Sequence, residues 1–133
     1  MNKVLILSHG NLAKELFNTA RLILGDFQKV TYLCLLEGQD MNEYERMITK
    51  VARETEQELL ILVDMLGGSP FIISAKVYQT LKGEVDIQIV TGVNLPMVIE
   101  TIHGIDQHSV VELKDIAVNF GSKGVVDFVS QLR

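Results

Sequence analysis

Four short apolar runs, each closed by turn residues and followed by a stretch with helical spacing, set the rhythm of this 133-residue chain. Val4-Leu-Ile-Leu7, Val30-Thr-Tyr-Leu-Cys-Leu35, Leu59-Leu-Ile-Leu-Val63 and Val85-Asp-Ile-Gln-Ile-Val90 have the lengths and flanks of strands. The first and third are apolar at every position, as strands covered on both faces are, whereas the alternation in the fourth suits a place near a sheet edge. Between the runs, Leu12, Ala13, Leu16, Ala20, Ile23 and Leu24 form one helical stripe, and Tyr44, Met47, Ile48, Val51, Ala52 and Thr55 form another. A third helix is expected from Pro70 to Leu81, a short one from Leu95-Pro96 to about His103, and a last one carrying Val110, Leu113, Ile116, Ala117 and Phe120.

Turn chemistry marks the ends of these elements. Gly25 is placed to cap the first helix, Lys82-Gly83 to close the third and Gly121 to stop the last. Asp40 with Glu43, and Ser109 with Glu112, have the spacing of capping boxes. Ser69 before Pro70, and Asn94 two residues before Pro96, read as helix caps with proline in the first turn. The tail Val125-Val-Asp-Phe-Val-Ser130 has strand character.

Repeated strand and helix units predict an α/β domain spanning 1–133, an open doubly wound and mostly parallel sheet with order 2-1-3-4. In that order the first and third strands are neighbours at the switch point, so the residues after them face one crevice. Those residues are His9 and Asp64. The short tail strand needs a sheet edge, and the fourth strand offers one to an antiparallel partner.

Composition narrows the function. An apolar fraction of 47% with 22% charged residues suits a domain with a substantial core, and no apolar run is long enough to span a membrane. With no signal peptide legible at the start, a cytoplasmic location is expected. Net charge is −5, with no basic face, which argues against nucleic acid as a partner. Cys34 is the sole cysteine and reads as a small buried apolar residue; His103 and His108 read as solvated. Neither a metal nor a cofactor is called for.

Chemistry gathers where the strands end. A carboxylate beside an imidazole fixes its tautomer, so Asp64 accepting the Nδ1 proton of His9 leaves Nε2 as the nucleophile. Gly67, Gly68, Ser69 and the helix that begins there offer donors to the oxygens of a phosphoryl group. Gly10, Thr91 and Asn94 are expected to wall the crevice, and Met65 and Leu66, apolar in an exposed turn, to form a docking patch beside it. A phosphate-ester hydrolase is disfavoured, because no second carboxylate is placed to hold Mg²⁺.

The segments Ser8-His-Gly-Asn-Leu-Ala13, Val63-Asp-Met-Leu-Gly-Gly-Ser-Pro-Phe71 and Thr91-Gly-Val-Asn-Leu-Pro-Met97, in this order, resemble three signatures of the mannose-family IIA component of the bacterial sugar phosphotransferase system. That resemblance implies a phosphoryl carrier that accepts phosphate on His9 Nε2 from the carrier protein HPr and passes it to a IIB component, with Asp64 orienting His9. It also implies a free-standing homodimeric subunit whose tail strand crosses to the partner, and a link to the membrane only through the IIC and IID components. Ile72 departs from the pattern, which commonly has asparagine there. Two related readings are a regulatory module and the phosphocarrier subunit of a dihydroxyacetone kinase.

Overall fold

The computed structural model describes residues 1–133. Strands β1 (Val4–His9), β2 (Val30–Leu35), β3 (Glu58–Val63) and β4 (Asp86–Thr91) alternate with helices α1 (Leu12–Leu24), α2 (Met41–Arg53), α3 (Ser69–Leu81) and α4 (Leu95–His103), and α5 (Val110–Lys123) follows. The sheet has the expected order β2-β1-β3-β4 and all its pairings are parallel. Strand periodicity sorts the core into two layers. Val4, Ile6, Leu60 and Leu62 face α1, α4 and α5, while Leu5, Leu7, Leu59, Ile61 and Val63 face α2 and α3. Both sides of the two central strands are therefore dry, which is why their sequences show no alternation.

Helix ends follow the expected chemistry in several places. Gly25 takes φ +79° and its N–H donates to the Arg21 carbonyl, closing α1. Ser109 and Glu112 form a complete reciprocal box at α5. At α2 the expected box does not form: Asp40 caps the helix by accepting from the amide of its second residue, Asn42, and Glu43 makes no return bond. Thr55, placed on the α2 stripe by its spacing, lies just beyond the helix. His103 is exposed, and Cys34 is half-buried against the α1 layer.

Gly121 does not stop α5. The helix runs on to Lys123, and Gly121 is instead a buried packing point, where a Cβ would stand 2.6 Å from Met97 Cε. Its missing side chain serves the close approach of α4 and α5, not a reversal of the chain.

The tail departs further from expectation. In the single chain it forms no fifth strand; Val129–Leu132 make a short 3-10 helix, and Val125, Phe128 and Leu132 are exposed. A strand needs a neighbour to receive its backbone hydrogen bonds, and no strand of the same chain serves the tail. β4 pairs with β3 alone, so its outer edge is open as its alternating sequence indicates.

Candidate functional site

β1 and β3 end side by side, and the parallel register that pairs Leu7 with Val63 places the next residues of each strand at one rim. His9 there donates from Nδ1 to Asp64 Oδ2 at 2.7 Å, and its backbone N–H donates to the same oxygen at 2.9 Å. The other carboxylate oxygen, Oδ1, accepts from the Met65 amide at 2.8 Å. Asp64 is itself anchored, because its amide donates to the Leu7 carbonyl at 3.1 Å and continues the β1–β3 ladder. An ionised carboxylate only accepts, so this arrangement puts the ring proton on Nδ1 and leaves Nε2 with its lone pair. The His9 side chain is 46% exposed and that of Asp64 only 11%, so the ring is partly open to solvent while the orienting group is sheltered.

Gly67 and Gly68 do different jobs. Gly67 has φ +83°, a conformation that disfavours a side chain. Gly68 is extended, at φ −77° and ψ 168°, and is needed for space: a Cβ there would stand 2.7 Å from His9 Cε1 and 3.3 Å from Nε2. The backbone that opens α3 is thus pressed against the ring edge that carries Nε2. Gly68, not Ser69, occupies the cap position, and no side chain caps the helix. Ser69 is the first helical residue because the extended Gly68 already makes the turn into the helix, which leaves the serine hydroxyl uncommitted to capping. Pro70 follows it, so the first turn presents few amides, those of Ser69 and Phe71 among them.

The expected crevice wall is only partly realised. Gly10, at φ +56°, turns the chain directly after His9, and its amide donates to the Leu35 carbonyl at 2.8 Å. Thr91 ends β4, two strands from β1, roughly 10 Å away at the usual spacing. Asn94 is committed elsewhere: its Oδ1 accepts from the Met97 amide at 3.0 Å and its Nδ2 donates to the Gly121 carbonyl at 2.9 Å. It therefore ties α4 to α5. The cap position that its sequence context indicates uses up the amide assigned to the wall.

Met65 and Leu66 are 54% and 71% exposed, so the turn after Asp64 does present apolar surface. Ile72, also exposed, lies beyond them on α3 in a groove of about 310 Å³ shared with Met41, Asn42, Glu45, Ser69 and Lys76. Beneath the rim, Tyr44 is fully buried and donates its hydroxyl to the Leu33 carbonyl at 2.7 Å. Burial first, then the proximity of Cys34 and Asp64, raises its pKa above the ordinary tyrosine range and keeps the hydroxyl neutral. Its place on the α2 stripe marked it only as core. Its hydroxyl also ties α2 to β2.

The chain that carries this geometry is similar to known proteins along most of its length. A model of the EIIA-man family, described as the PTS system fructose IIA component, matches residues 3–118. The chain belongs to the EIIA-man family. Over 127 residues it is 31% identical to the PTS system mannose-specific EIIAB component of Escherichia coli strain K12, covering 92% of this chain and 38% of that protein. It therefore spans well under half the length of that relative. The PTS system fructose-specific EIIA component of Bacillus subtilis is 25% identical over 121 residues, with 90% of this chain and 79% of that one covered. Among solved structures, the phosphotransferase system component EIIA from Streptococcus agalactiae is similar with a TM-score of 0.91 at 27% identity, covering 98% of this chain and 99% of that one. His9, Asp64 and the Gly67-Gly68-Ser69 turn lie within the matched EIIA-man span, and the tail from Gly124 lies beyond it. No helix of this EIIA-man member is long and apolar enough to cross a membrane.

Proposed function

We propose that this EIIA-man domain carries a phosphoryl group on His9 Nε2, accepting it from the phosphohistidine of HPr and passing it to a histidine of a IIB component during sugar uptake. The observation that carries this reading is the 2.7 Å bond from His9 Nδ1 to Asp64, which in the neutral ring leaves the Nε2 lone pair free on a half-exposed side chain. The Nε2 lone pair attacks phosphorus, the donor's P–N bond breaks, and its electron pair returns to the donor imidazole. The proton on Nδ1 stays in place, so the phosphorylated ring is cationic, and the Asp64 carboxylate opposes that charge. Ser69 and the amides of the α3 first turn donate to the phosphoryl oxygens. Transfer onward reverses these steps, and both partners and this domain meet in the cytoplasm, with the membrane reached only through IIC and IID.

Treatment with phospho-HPr tests the reading. Mass spectrometry should find a single added phosphate on His9, labile to acid and stable to base, that disappears when a IIB component is added. Phosphate on Ser69, or none at all, would overturn it. Passage to a dihydroxyacetone kinase subunit and not to IIB would keep the carrier chemistry and reject the role in transport.

Phosphocarrier partners must meet and part quickly, and transient interfaces of this kind bury less than roughly 1,200 Å². In so small a contact the exposed Met65 and Leu66 matter. Met65→Asp should weaken binding of HPr and IIB in titration calorimetry while leaving Tm nearly unchanged; a large fall in Tm would show instead that Met65 supports the fold.

Homodimerisation through the tail belongs to the same proposal. Val125, Val126, Phe128, Val129 and Leu132 are all exposed in the single chain, and the outer edge of β4 is open. Exchanged between two copies, the tail gains an edge to pair with and the apolar side chains gain cover. Truncation after Lys123 is expected to convert a dimer into a monomer by light scattering, and a full-length protein that sediments as a monomer at micromolar concentration would exclude the exchange.

A further inference from the structure

Ser8 precedes the candidate phosphoacceptor, and its side chain is wholly buried on the face of β1 that α1 covers. Its hydroxyl accepts from the Ala13 amide at 2.7 Å and donates to the Gly10 carbonyl at 3.2 Å. Ala13 is the second residue of α1, so its amide has no acceptor within the helix, and the residue is fully buried. Asn11, in the cap position, makes no side-chain capping bond. The cap of α1 therefore comes from five residues before Ala13, from a side chain on the far side of His9.

This placement holds the backbone on both sides of His9. On one side Asp64 holds the His9 amide and Nδ1; on the other, the Ser8 hydroxyl ties the strand end to both the Gly10 turn and the start of α1. Gly10, at φ +56°, has a conformation that glycine adopts freely, and two bonds hold the turn in one geometry: its amide donates to the Leu35 carbonyl and its carbonyl accepts from the Ser8 hydroxyl. A ring held by one side-chain hydrogen bond keeps its direction only as well as its own backbone is held.

We infer that Ser8 is a positioning residue for phosphoryl transfer, acting through the Gly10 turn and the first turn of α1 to keep His9 within reach of Asp64. The inference rests on the reading of His9 as phosphoacceptor, and its test separates the two. In the unphosphorylated protein, NMR of the His9 ring nitrogens reads the Nδ1–H bond directly; with phospho-HPr as donor, kcat and KM are read separately.

Ser8→Ala should weaken or abolish the Nδ1–H signal and lower kcat roughly tenfold with KM unchanged, the scale on which lost supporting bonds act. Ser8→Thr, which keeps a hydroxyl, should recover both. Ala20→Gly loosens α1 at a buried position away from the site and controls for simple destabilisation; it should lower Tm and move neither readout. Should Ser8→Ala fail to fold, Ser8→Cys, nearly the same shape with a weaker acceptor, replaces it with the same expectation of a weakened signal. A normal Nδ1–H signal and kcat in the Ala or Cys variant, or the same loss in Ala20→Gly, would overturn the inference. If the wild-type domain accepts no phosphate, the phosphoacceptor reading falls, and the NMR comparison still decides whether Ser8 positions His9.

Discussion

His9→Gln is expected to accept no phosphate from phospho-HPr while keeping the wild-type fold. Glutamine retains a polar side chain of moderate length at this exposed rim, but an amide nitrogen has no free lone pair with which to attack phosphorus, and no other histidine can substitute. His103 is exposed on α4, and His108 faces Glu112 at 3.7 Å, neither at the rim where β1 and β3 end. The loss should be complete within detection, with no change in circular dichroism. Residual labelling of the variant at wild-type stoichiometry would move the phosphoacceptor elsewhere, and mass mapping of that label would say where.

Asp64→Asn should fold normally and transfer phosphate about ten- to a hundredfold more slowly, the usual range for loss of a group that orients a functional histidine. An amide oxygen can still accept the Nδ1 proton, so the geometry has a route to survive. It cannot oppose the positive charge of the phosphorylated ring, and an amide turned the other way would offer its NH₂ and favour the wrong tautomer. Asp64 also accepts from the backbone amides of His9 and Met65 at 2.9 and 2.8 Å. Some of the effect should therefore appear as a looser turn after β3. Stopped-flow transfer rates measured alongside Tm separate these contributions: an unchanged rate with a lowered Tm would make Asp64 a turn cap and nothing more.

Ser69→Ala is a useful companion, because the backbone donors of α3 survive it. Its effect should be smaller than that of Asp64→Asn. The reason lies in Gly68, which already forms the entry to the helix and holds the backbone against the imidazole without help from the serine.

The sequence by itself determined the four strands, the five helices and a parallel sheet covered on both faces, because strands buried on both sides and helices with one apolar stripe leave such patterns, and the order 2-1-3-4 is among the few layouts they accommodate. It also placed His9 and Asp64 together, since neighbouring parallel strands deliver their following residues to one rim. The roles of several residues were decided only by tertiary structure, because they depend on which atoms of distant segments meet. Gly121 looks like a stop and serves as a contact between helices; Asn94 looks like part of a crevice and is consumed in joining α4 to α5. Gly68 matters for the imidazole it lies against, and Ser8 for an amide five residues ahead, neither of which periodicity or turn propensity encodes. The tail shows the same division most plainly. Its composition favours a strand, but a strand is a pairing between two segments, and within the single chain the open edge of β4 and the tail do not pair.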